Sequence, residues 1–314
     1  MARDGMGFNR FIPDLVLDKA MMMGAIGVKW LNNLDNVILN AEKRWNINVG
    51  DAISGGTHAF VAKVNDQNNS KMLIKISLPD GLGSLDFKYQ VNALLAADGH
   101  GYVKLYEHDL ENRICLLEEF GEPLSELNCT SEEQMNIICA TLKKSWVKPL
   151  QAELQDGAAV INWFKEFIDI MWIELKEPCS RGIINKAYTF LDSRLAKYNP
   201  DNSVLVHGDA HNGNILLDLE GNSFKLIDPD GIFCEKAYDL GVLMREWVDE
   251  LLPDPCGTGV KRCAYLCRMT KADERAIWEW GFIQSVSTGL LCLKTGQTDQ
   301  GKKLLRIADV WSVM

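Results

Sequence analysis

The chain has 314 residues, of which 47% are hydrophobic and 24% are charged. This length and composition are typical of one large or two medium-sized domains with a substantial buried core, and they exclude an intrinsically disordered protein. The formal net charge is −10 at pH 7. Because an acidic protein repels polyanions, we expect no nucleic-acid partner.

The cysteine and hydropathy patterns indicate the compartment. The nine cysteines stand at irregular spacing without a CxxC pair, which does not fit a disulfide framework. The most apolar stretch near the amino terminus, residues 20–31, is interrupted by Gly24, Gly27 and Lys29 and is too short to span a membrane. We therefore expect a cytoplasmic protein with no signal sequence and no membrane anchor. No pattern indicates an oligomeric state.

Hydrophobic periodicity predicts the elements of the first part of the chain. Apolar residues at helical spacing over residues 14–45, broken near two glycines, predict two helices. From Val49 onward the period is two, which predicts strands on either side of a polar turn at residues 65–70. The predicted order is three strands, one helix and two strands, with the helix over residues 82–97 and the last strands near residues 103–106 and 113–118.

The second part of the chain is mainly helical. Amphipathic patterns predict helices over residues 131–148, 158–176, 183–197, 238–251 and 271–293. A β-rich island at residues 203–230 interrupts them, and its last two strands predict a hairpin around residues 220–222. We therefore expect a small mixed lobe before about residue 121 and a larger helical lobe after it.

The densest polar segment lies inside this island, at His207-Gly-Asp-Ala-His-Asn-Gly-Asn214, and Asp228-Pro-Asp-Gly follows it. The spacing matches the H-x-D-x4-N catalytic loop and the later metal-binding Asp of kinases. Phosphoryl transfer needs one carboxylate for the acceptor hydroxyl and separate hard oxygen ligands for Mg²⁺. The pattern predicts Asp209 as the catalytic carboxylate, and Asn214 and Asp228 as the Mg²⁺ ligands.

These two motifs, together with Ala237-Tyr-Asp-Leu-Gly, resemble the aminoglycoside phosphotransferase superfamily. Residues 226–231, 238–247 and 98–103 resemble its streptomycin 6-phosphotransferase and hydroxyurea phosphotransferase branch, which contains antibiotic-resistance kinases. The resemblance implies a bilobal, protein-kinase-like α+β fold. It implies a small antiparallel-sheet lobe at residues 1–121, with a helical lead-in, and a larger, mainly helical lobe at residues 122–314. ATP and Mg²⁺ are the implied cofactors.

The small lobe contains candidates for binding ATP. Ser54, Gly55 and Gly56 form a glycine turn whose backbone N–H groups could approach phosphates, although a Gly-Gly pair is also typical of an ordinary hairpin. Lys75 is a lone cation among apolar residues, and it is either a phosphate-binding lysine or the solvent-facing residue of an alternating strand. Beside Asp209 and Asp228 we favour the phosphate-binding role.

Two further positions follow from the resemblance. The glutamate that pairs with the lysine in the family corresponds to Gln90 here, and an amide can hydrogen-bond the Lys75 ammonium without supplying charge. The segment Glu118, Glu119 and Phe120 leaves a predicted strand where an interlobe hinge would offer backbone groups to adenine.

Other interpretations of the polar segment exist. His207, Asp209 and His211 could bind zinc, but a zinc site needs further ligands and no other ligand-rich segment is present. For His207 we favour a structural hydrogen-bonding role over proton transfer. Asp239, at the start of a predicted helix, is expected to be a helix cap and a tether for the loop.

The acceptor is expected to be a small molecule. Gly208 stands where protein kinases have an arginine, and the segment between Asp228 and Tyr238 is too short for a peptide-docking activation loop. This favours a small alcohol as the acceptor, and the net charge favours a cationic one. Its candidate ligands are Asp230, Glu246, Asp249 and Glu250, with a solvated helix face as the alternative for the last three.

The sequence thus predicts an ATP-dependent O-phosphotransferase that acts on a small molecule, with an aminoglycoside of the streptomycin type as the favoured acceptor. One alternative is a metabolic kinase of the same superfamily that acts on a sugar, an amino alcohol or an amino acid. The other is a nucleotide-binding regulator without turnover.

Overall fold

The computed structural model describes residues 11–54, 56, 58–67, 70–79, 87–149 and 152–314. It begins with two helices, α1 (Asp14–Met22) and α2 (Ala25–Trp45). The two predicted helices are therefore confirmed. They pack closely at Gly27, where a Cβ atom would lie only 1.8 Å from the carbonyl oxygen of Ala20, so a side chain there would force the helices apart.

A five-stranded antiparallel sheet follows, in the strand order β1-β2-β3-β5-β4. The predicted sequence of three strands, one helix and two strands is confirmed, and residues 82–86 of the predicted helix lie outside the described residues. The bounds are β1 (Asn48–Ala52), β2 (Ala59–Asn65), β3 (Met72–Ser77), α3 (Phe87–Ala97), β4 (Leu105–Asp109) and β5 (Ile114–Glu118).

The rest of the chain is mainly helical and contains two short sheets. One sheet has the order β6-β10-β7, and the other is the hairpin β8-β9. The bounds are α4 (Ser131–Ser145), β6 (Gln155–Asp156), α5 (Gly157–Glu174), α6 (Arg181–Lys197), β7 (Val204–Val206), β8 (Ile215–Leu217), β9 (Phe224–Leu226), β10 (Ile232–Cys234), α7 (Ala237–Arg245), α8 (Val248–Leu251), α9 (Pro255–Thr270), α10 (Glu274–Lys294) and α11 (Thr298–Ser312).

The helical prediction needs three corrections in this part. The single helix predicted over residues 238–251 is wrong, because α7 ends at Arg245 and Trp247 has left-handed backbone angles (φ 48°, ψ 53°). The helices α9 and α11 were not predicted. For α9 a local signal existed: Asp254 accepts a hydrogen bond from the Gly257 N–H at 2.9 Å, and Pro255 occupies the first helical position, both of which favour helix initiation.

The buried side chains form two clusters. One lies between the helices α1 and α2 and the strands β1, β2, β3 and β5, and the other fills the helical part of the chain. The second cluster also contains residues of α3 and of β5, including Leu117. The protein therefore has a bilobal α+β fold whose larger core reaches into the small lobe, and the division at residue 121 stays a prediction. In the part of the chain that the structure describes, no helix has the length and apolarity needed to cross a membrane.

Candidate active site

The loop between β7 and β8 is shaped by tertiary contacts to its backbone. Asp239 accepts hydrogen bonds from the N–H groups of His207 (3.1 Å) and Gly208 (2.9 Å). Gly208 has φ of 99°, and a Cβ atom there would lie 2.3 Å from the Asp230 carboxylate. Only glycine fits this position without displacing Asp230.

Asp239 is fully buried in the first turn of α7 and also accepts a hydrogen bond from the Trp146 indole N–H at 2.8 Å. Burial raises the pKa of this carboxyl, and the hydrogen bonds from the backbone N–H groups and the Trp146 indole oppose the rise. The expected tether is present in the structure. The expected helix cap is wrong, because Lys236 occupies the position before the helix.

His207 has a structural environment. Its Nε2 lies 2.6 Å from the Ile227 carbonyl oxygen, and its Nδ1 accepts a hydrogen bond from the Asp209 N–H at 3.1 Å. Burial lowers the pKa of the imidazole, which favours the neutral ring with its hydrogen on Nε2. Both ring nitrogens are thus engaged by the backbone, and within the described ranges no group of three or more His, Cys, Asp and Glu residues could hold a metal ion. The zinc interpretation has no support.

Asp209 lies in the loop between β7 and β8, and 44% of its side chain is exposed. Its Oδ1 accepts a hydrogen bond from Arg245 Nη2 at 2.7 Å, and its Oδ2 lies 3.6 Å from His211 Nε2. Burial acts to raise the pKa of Asp209, but the charge of Arg245 and its hydrogen bond outweigh it, and the pKa is lowered. Asp209 is therefore an ionised hydrogen-bond acceptor at neutral pH.

Asn214 and Asp228 flank the open end of the β8-β9 hairpin, where Ile215 pairs with Leu226. The Asn214 amide nitrogen donates to the Asp209 carbonyl oxygen at 2.9 Å, which orients the amide oxygen as the remaining ligand atom. Asp228 has φ of 57°, and its Oδ1 accepts hydrogen bonds from Lys75 and Gln90. One amide oxygen and one carboxylate oxygen remain, which is a donor set that suits Mg²⁺ beside phosphate oxygens.

Lys75 connects the two lobes. Its side chain is only 12% exposed, and its ammonium forms an ion pair with Asp228. The solvent-facing alternative for Lys75 is therefore wrong. The Gln90 amide, which is able to accept a hydrogen bond from Lys75, instead donates to Asp228 Oδ1 at 3.3 Å, so both side chains converge on one carboxylate oxygen.

The glycine turn joins β1 to β2, as the sequence predicts. Ser54 and Gly56 lie in this turn and are exposed. Gly55 lies outside the described residues, so its prediction as a phosphate-binding residue stays a prediction.

The segment at residues 118–121 can offer one backbone N–H group to a ligand. The N–H groups of Glu118, Glu119 and Gly121 donate to the carbonyl oxygens of Lys104, Lys71 and Leu217. The N–H group of Phe120, which lies between Glu119 and Gly121, has no protein acceptor among the described residues. The acidic side chains are engaged as well, Glu118 by Lys225 at 2.6 Å and Glu119 by Lys63 at 2.7 Å. If adenine binds here, Phe120 is the residue that can donate to it.

The four residues predicted to bind the acceptor molecule have different surroundings. Asp230 packs against Gly208, and burial, followed by the charges of Asp209 and Asp239, raises its pKa well above the ordinary value. Glu246 forms an ion pair with Arg245 at 2.7 Å.

The other two candidates are more exposed. Asp249 is 78% exposed and pairs with Lys303 of α11 at 2.9 Å. Glu250 is 53% exposed and accepts a hydrogen bond from Ser131 at 2.9 Å. The predicted helix face shared by Glu246, Asp249 and Glu250 is wrong, because the helix breaks between α7 and α8.

Arg245 is the site residue that the sequence analysis missed. It touches the predicted catalytic carboxylate directly, although it lies 36 residues further along the chain. The sequence contained one signal: Arg245 is a single cation directly after the apolar run Leu-Gly-Val-Leu-Met at residues 240–244. A charged side chain that is buried beside such a run needs a partner.

A bilobal fold in which a small-lobe lysine meets an Asp–Asn–Asp constellation of the large lobe defines a kinase-like phosphotransferase. The family model described as aminoglycoside/hydroxyurea antibiotic resistance kinase matches residues 44–296. The chain belongs to this family, which confirms the resemblance noted from the motifs. It is an enzyme, an ATP-binding small-molecule phosphotransferase with an alcohol group as acceptor, and the interpretation as a regulator without turnover is wrong.

Individual relatives are distant. The streptomycin 6-kinase of Streptomyces glaucescens is 22% identical over 231 residues, or 73% of each chain. The streptomycin 6-kinase of Streptomyces griseus is 22% identical over 219 residues, which cover 69% of this chain and 68% of that protein.

Solved structures share the fold at lower identity. A choline kinase from Streptococcus pneumoniae has a TM-score of 0.61 at 16% identity, covering 90% of this chain and 99% of its own. A thermostable mutant of an aminoglycoside phosphotransferase, in ternary complex with ADP and hygromycin B, has a TM-score of 0.58 at 10% identity, covering 88% of this chain and 97% of its own.

Proposed function

We propose that this enzyme transfers the γ-phosphoryl group of ATP to a hydroxyl of a cationic small molecule, an aminoglycoside of the streptomycin type. The observation on which the proposal rests is the convergence of four side chains from two lobes, those of Asp209, Asn214, Asp228 and Lys75. The streptomycin 6-kinases among its relatives support the acceptor class.

In the proposed reaction the acceptor oxygen attacks the γ-phosphorus, and the bond from that phosphorus to the β,γ-bridging oxygen breaks to release ADP. The hydroxyl proton passes to the ionised carboxylate of Asp209. Lys75 exchanges its contact with Asp228 for a contact with phosphate oxygens. The Phe120 N–H and the turn containing Ser54 and Gly56 bind the rest of the nucleotide.

Asn214 and Asp228 are the proposed Mg²⁺ ligands. The donor set fits, because each residue retains one oxygen after its hydrogen bonds within the protein are counted. A bound Mg²⁺ would neutralise phosphate charge.

The charge of the site favours a cationic acceptor. The cluster contains the carboxylates of Asp209, Asp228, Asp230 and Asp239, and its two cations are Lys75 and Arg245. Four carboxyl groups stand beside two cations, and burial raises the pKa of Asp230, so a guanidinium or ammonium group of the acceptor would stabilise its ionised form and bind beside it.

A panel of acceptors tests the function. ATP consumption and phosphoryl addition by mass spectrometry would be measured with streptomycin, hygromycin B, choline and a neutral sugar alcohol. We expect streptomycin to have the highest kcat/KM, at least about tenfold above the neutral alcohol, and its KM to rise with ionic strength because salt screens the attraction. Turnover of the neutral alcohol alone would indicate the metabolic-kinase alternative.

Asp230→Asn tests the acceptor contact. Removing this carboxylate should raise the KM for the acceptor by about tenfold, the usual value of a charged hydrogen bond, while the KM for ATP stays within about twofold. The matched control is Asp192→Asn, which neutralises a 67% exposed carboxylate paired with Lys165 and should change neither constant. An unchanged acceptor KM in Asp230→Asn would remove Asp230 from the acceptor site.

A further inference from the structure

The break between α7 and α8 has a specific geometry. Trp247 holds a left-handed conformation that bulky residues rarely adopt. The surrounding structure stabilises it: Arg262 Nη1 donates to the carbonyl oxygens of Leu243 (3.3 Å) and Met244 (3.1 Å), and the Trp247 indole N–H donates to Gln134 at 3.3 Å. The result is that Arg245, the last residue of α7, projects toward Asp209.

The Arg245 guanidinium lies between two carboxylates. Nη2 contacts Asp209 Oδ1 and Nη1 contacts Glu246 Oε1, both at 2.7 Å, and the side chain is 14% exposed. Its buried Nε has no hydrogen-bond partner among the described residues. The guanidinium thus joins the two carboxylates through its two terminal nitrogens.

This contact makes the two oxygens of Asp209 unequal. Oδ1 is occupied by Arg245. His211 accepts a hydrogen bond from the Gly213 N–H at its Nδ1, which leaves its hydrogen on Nε2, 3.6 Å from Asp209 Oδ2 and beyond hydrogen-bond distance. Oδ2 is therefore the oxygen that is available to a substrate hydroxyl.

We propose that Arg245 is a positioning residue for phosphoryl transfer: it holds Asp209 in the one orientation in which Oδ2 receives the acceptor proton, and Glu246 keeps Arg245 in place. The inference rests on the proposed function of Asp209. It also assigns Glu246 to Arg245 rather than to the acceptor, and it requires that the loss of Arg245 affects the chemical step more than the binding of either substrate.

The central experiment is Arg245→Ala, with kcat, both KM values and the melting temperature measured. We expect kcat to fall by about a hundredfold, the cost of a misplaced catalytic group, with both KM values within about threefold of the unmodified enzyme. Millimolar guanidinium should restore much of the lost kcat by refilling the position between Asp209 and Glu246. Arg245→Lys, which keeps a charge without the planar fork, should retain an intermediate kcat.

Three further variants serve as comparisons. Glu246→Gln should lower kcat by about fivefold without raising the acceptor KM, whereas a raised acceptor KM at unchanged kcat would overturn the assignment of Glu246. Arg181→Ala removes a 53% exposed arginine that pairs with Asp169, and it should change neither kcat nor the two KM values. Arg262→Ala should lower the melting temperature more than Arg245→Ala, because buried carbonyl oxygens lose their donor.

The outcomes separate this inference from the proposed function. An inactive Asp209→Asn that guanidinium does not rescue, together with a guanidinium-rescued Arg245→Ala, supports both. The positioning role alone is overturned if Asp209→Asn is inactive and Arg245→Ala keeps its kcat. It is also overturned if Arg245→Ala loses kcat together with a lowered melting temperature and guanidinium does not restore it. An active Asp209→Asn overturns the proposed function itself.

Discussion

Asp209→Asn is expected to lower kcat by about a hundred- to ten-thousandfold, which is the usual contribution of a positioned general base. The substituted amide oxygen can still accept the hydrogen bond from Arg245, and the loop is held by Asp239 through the backbone of His207 and Gly208. The fold and the nucleotide contacts should therefore survive, and the loss should appear in kcat while the KM for ATP stays within about threefold.

The measurement is steady-state ATP consumption with a saturating acceptor, together with nucleotide binding by calorimetry. Asp192→Asn is the matched control, since it makes the same chemical change at an exposed ion pair. Near-normal turnover in Asp209→Asn would show that another group receives the proton, and the kinase assignment of the loop would then need revision.

Local patterns in the sequence were sufficient for the sheet, the hairpin and the position of the loop at residues 207–214. The period-two strands and the turn around Gly221 are determined by neighbouring residues, and the spacing from His207 to Asn214 is a motif within one loop. Such features need no information from distant parts of the chain, which is why they appear in the structure where the sequence predicts them.

The missed features depend on tertiary contacts. The helix α9 begins with two glycines in its first five residues, which lowers helix propensity. Its Gly259 nevertheless lies where a Cβ atom would be 2.8 Å from the Trp311 indole, so close packing against α11 compensates for the weak propensity. The two helices that were not predicted therefore stabilise each other.

The set of site residues predicted from the sequence was incomplete because it also depends on tertiary contacts. The backbone at Trp247 is left-handed because Arg262 and Gln134 hold it, and no local pattern predicts that conformation for a tryptophan. Without this break, Glu246 and Glu250 would share a helix face, as the sequence indicated. The contact of Arg245 with Asp209 and that of Gln90 with Asp228 likewise join residues that no motif relates.

The second large effect is expected for Asp228→Asn. Asp228 has a left-handed backbone, which asparagine adopts readily and alanine does not, so asparagine removes the charge with little added strain. Because Asp228 is a proposed Mg²⁺ ligand and also holds Lys75, the change has two consequences. Mg²⁺-dependent ATP binding should weaken by about ten- to a hundredfold, the range for a lost charged contact, and Lys75 should become available to phosphate oxygens.

Metal-free binding therefore distinguishes the two roles of Asp228. In the unmodified enzyme Lys75 must leave Asp228 before it binds phosphate, whereas in Asp228→Asn the charged competitor is gone. We expect the variant to bind ATP without Mg²⁺ at least as tightly as the unmodified enzyme, and to gain little when Mg²⁺ is added. Calorimetric titrations of ATP with and without Mg²⁺ measure both quantities. A variant that gains as much from Mg²⁺ as the unmodified enzyme does would remove Asp228 from the proposed metal site and leave it as the partner of Lys75.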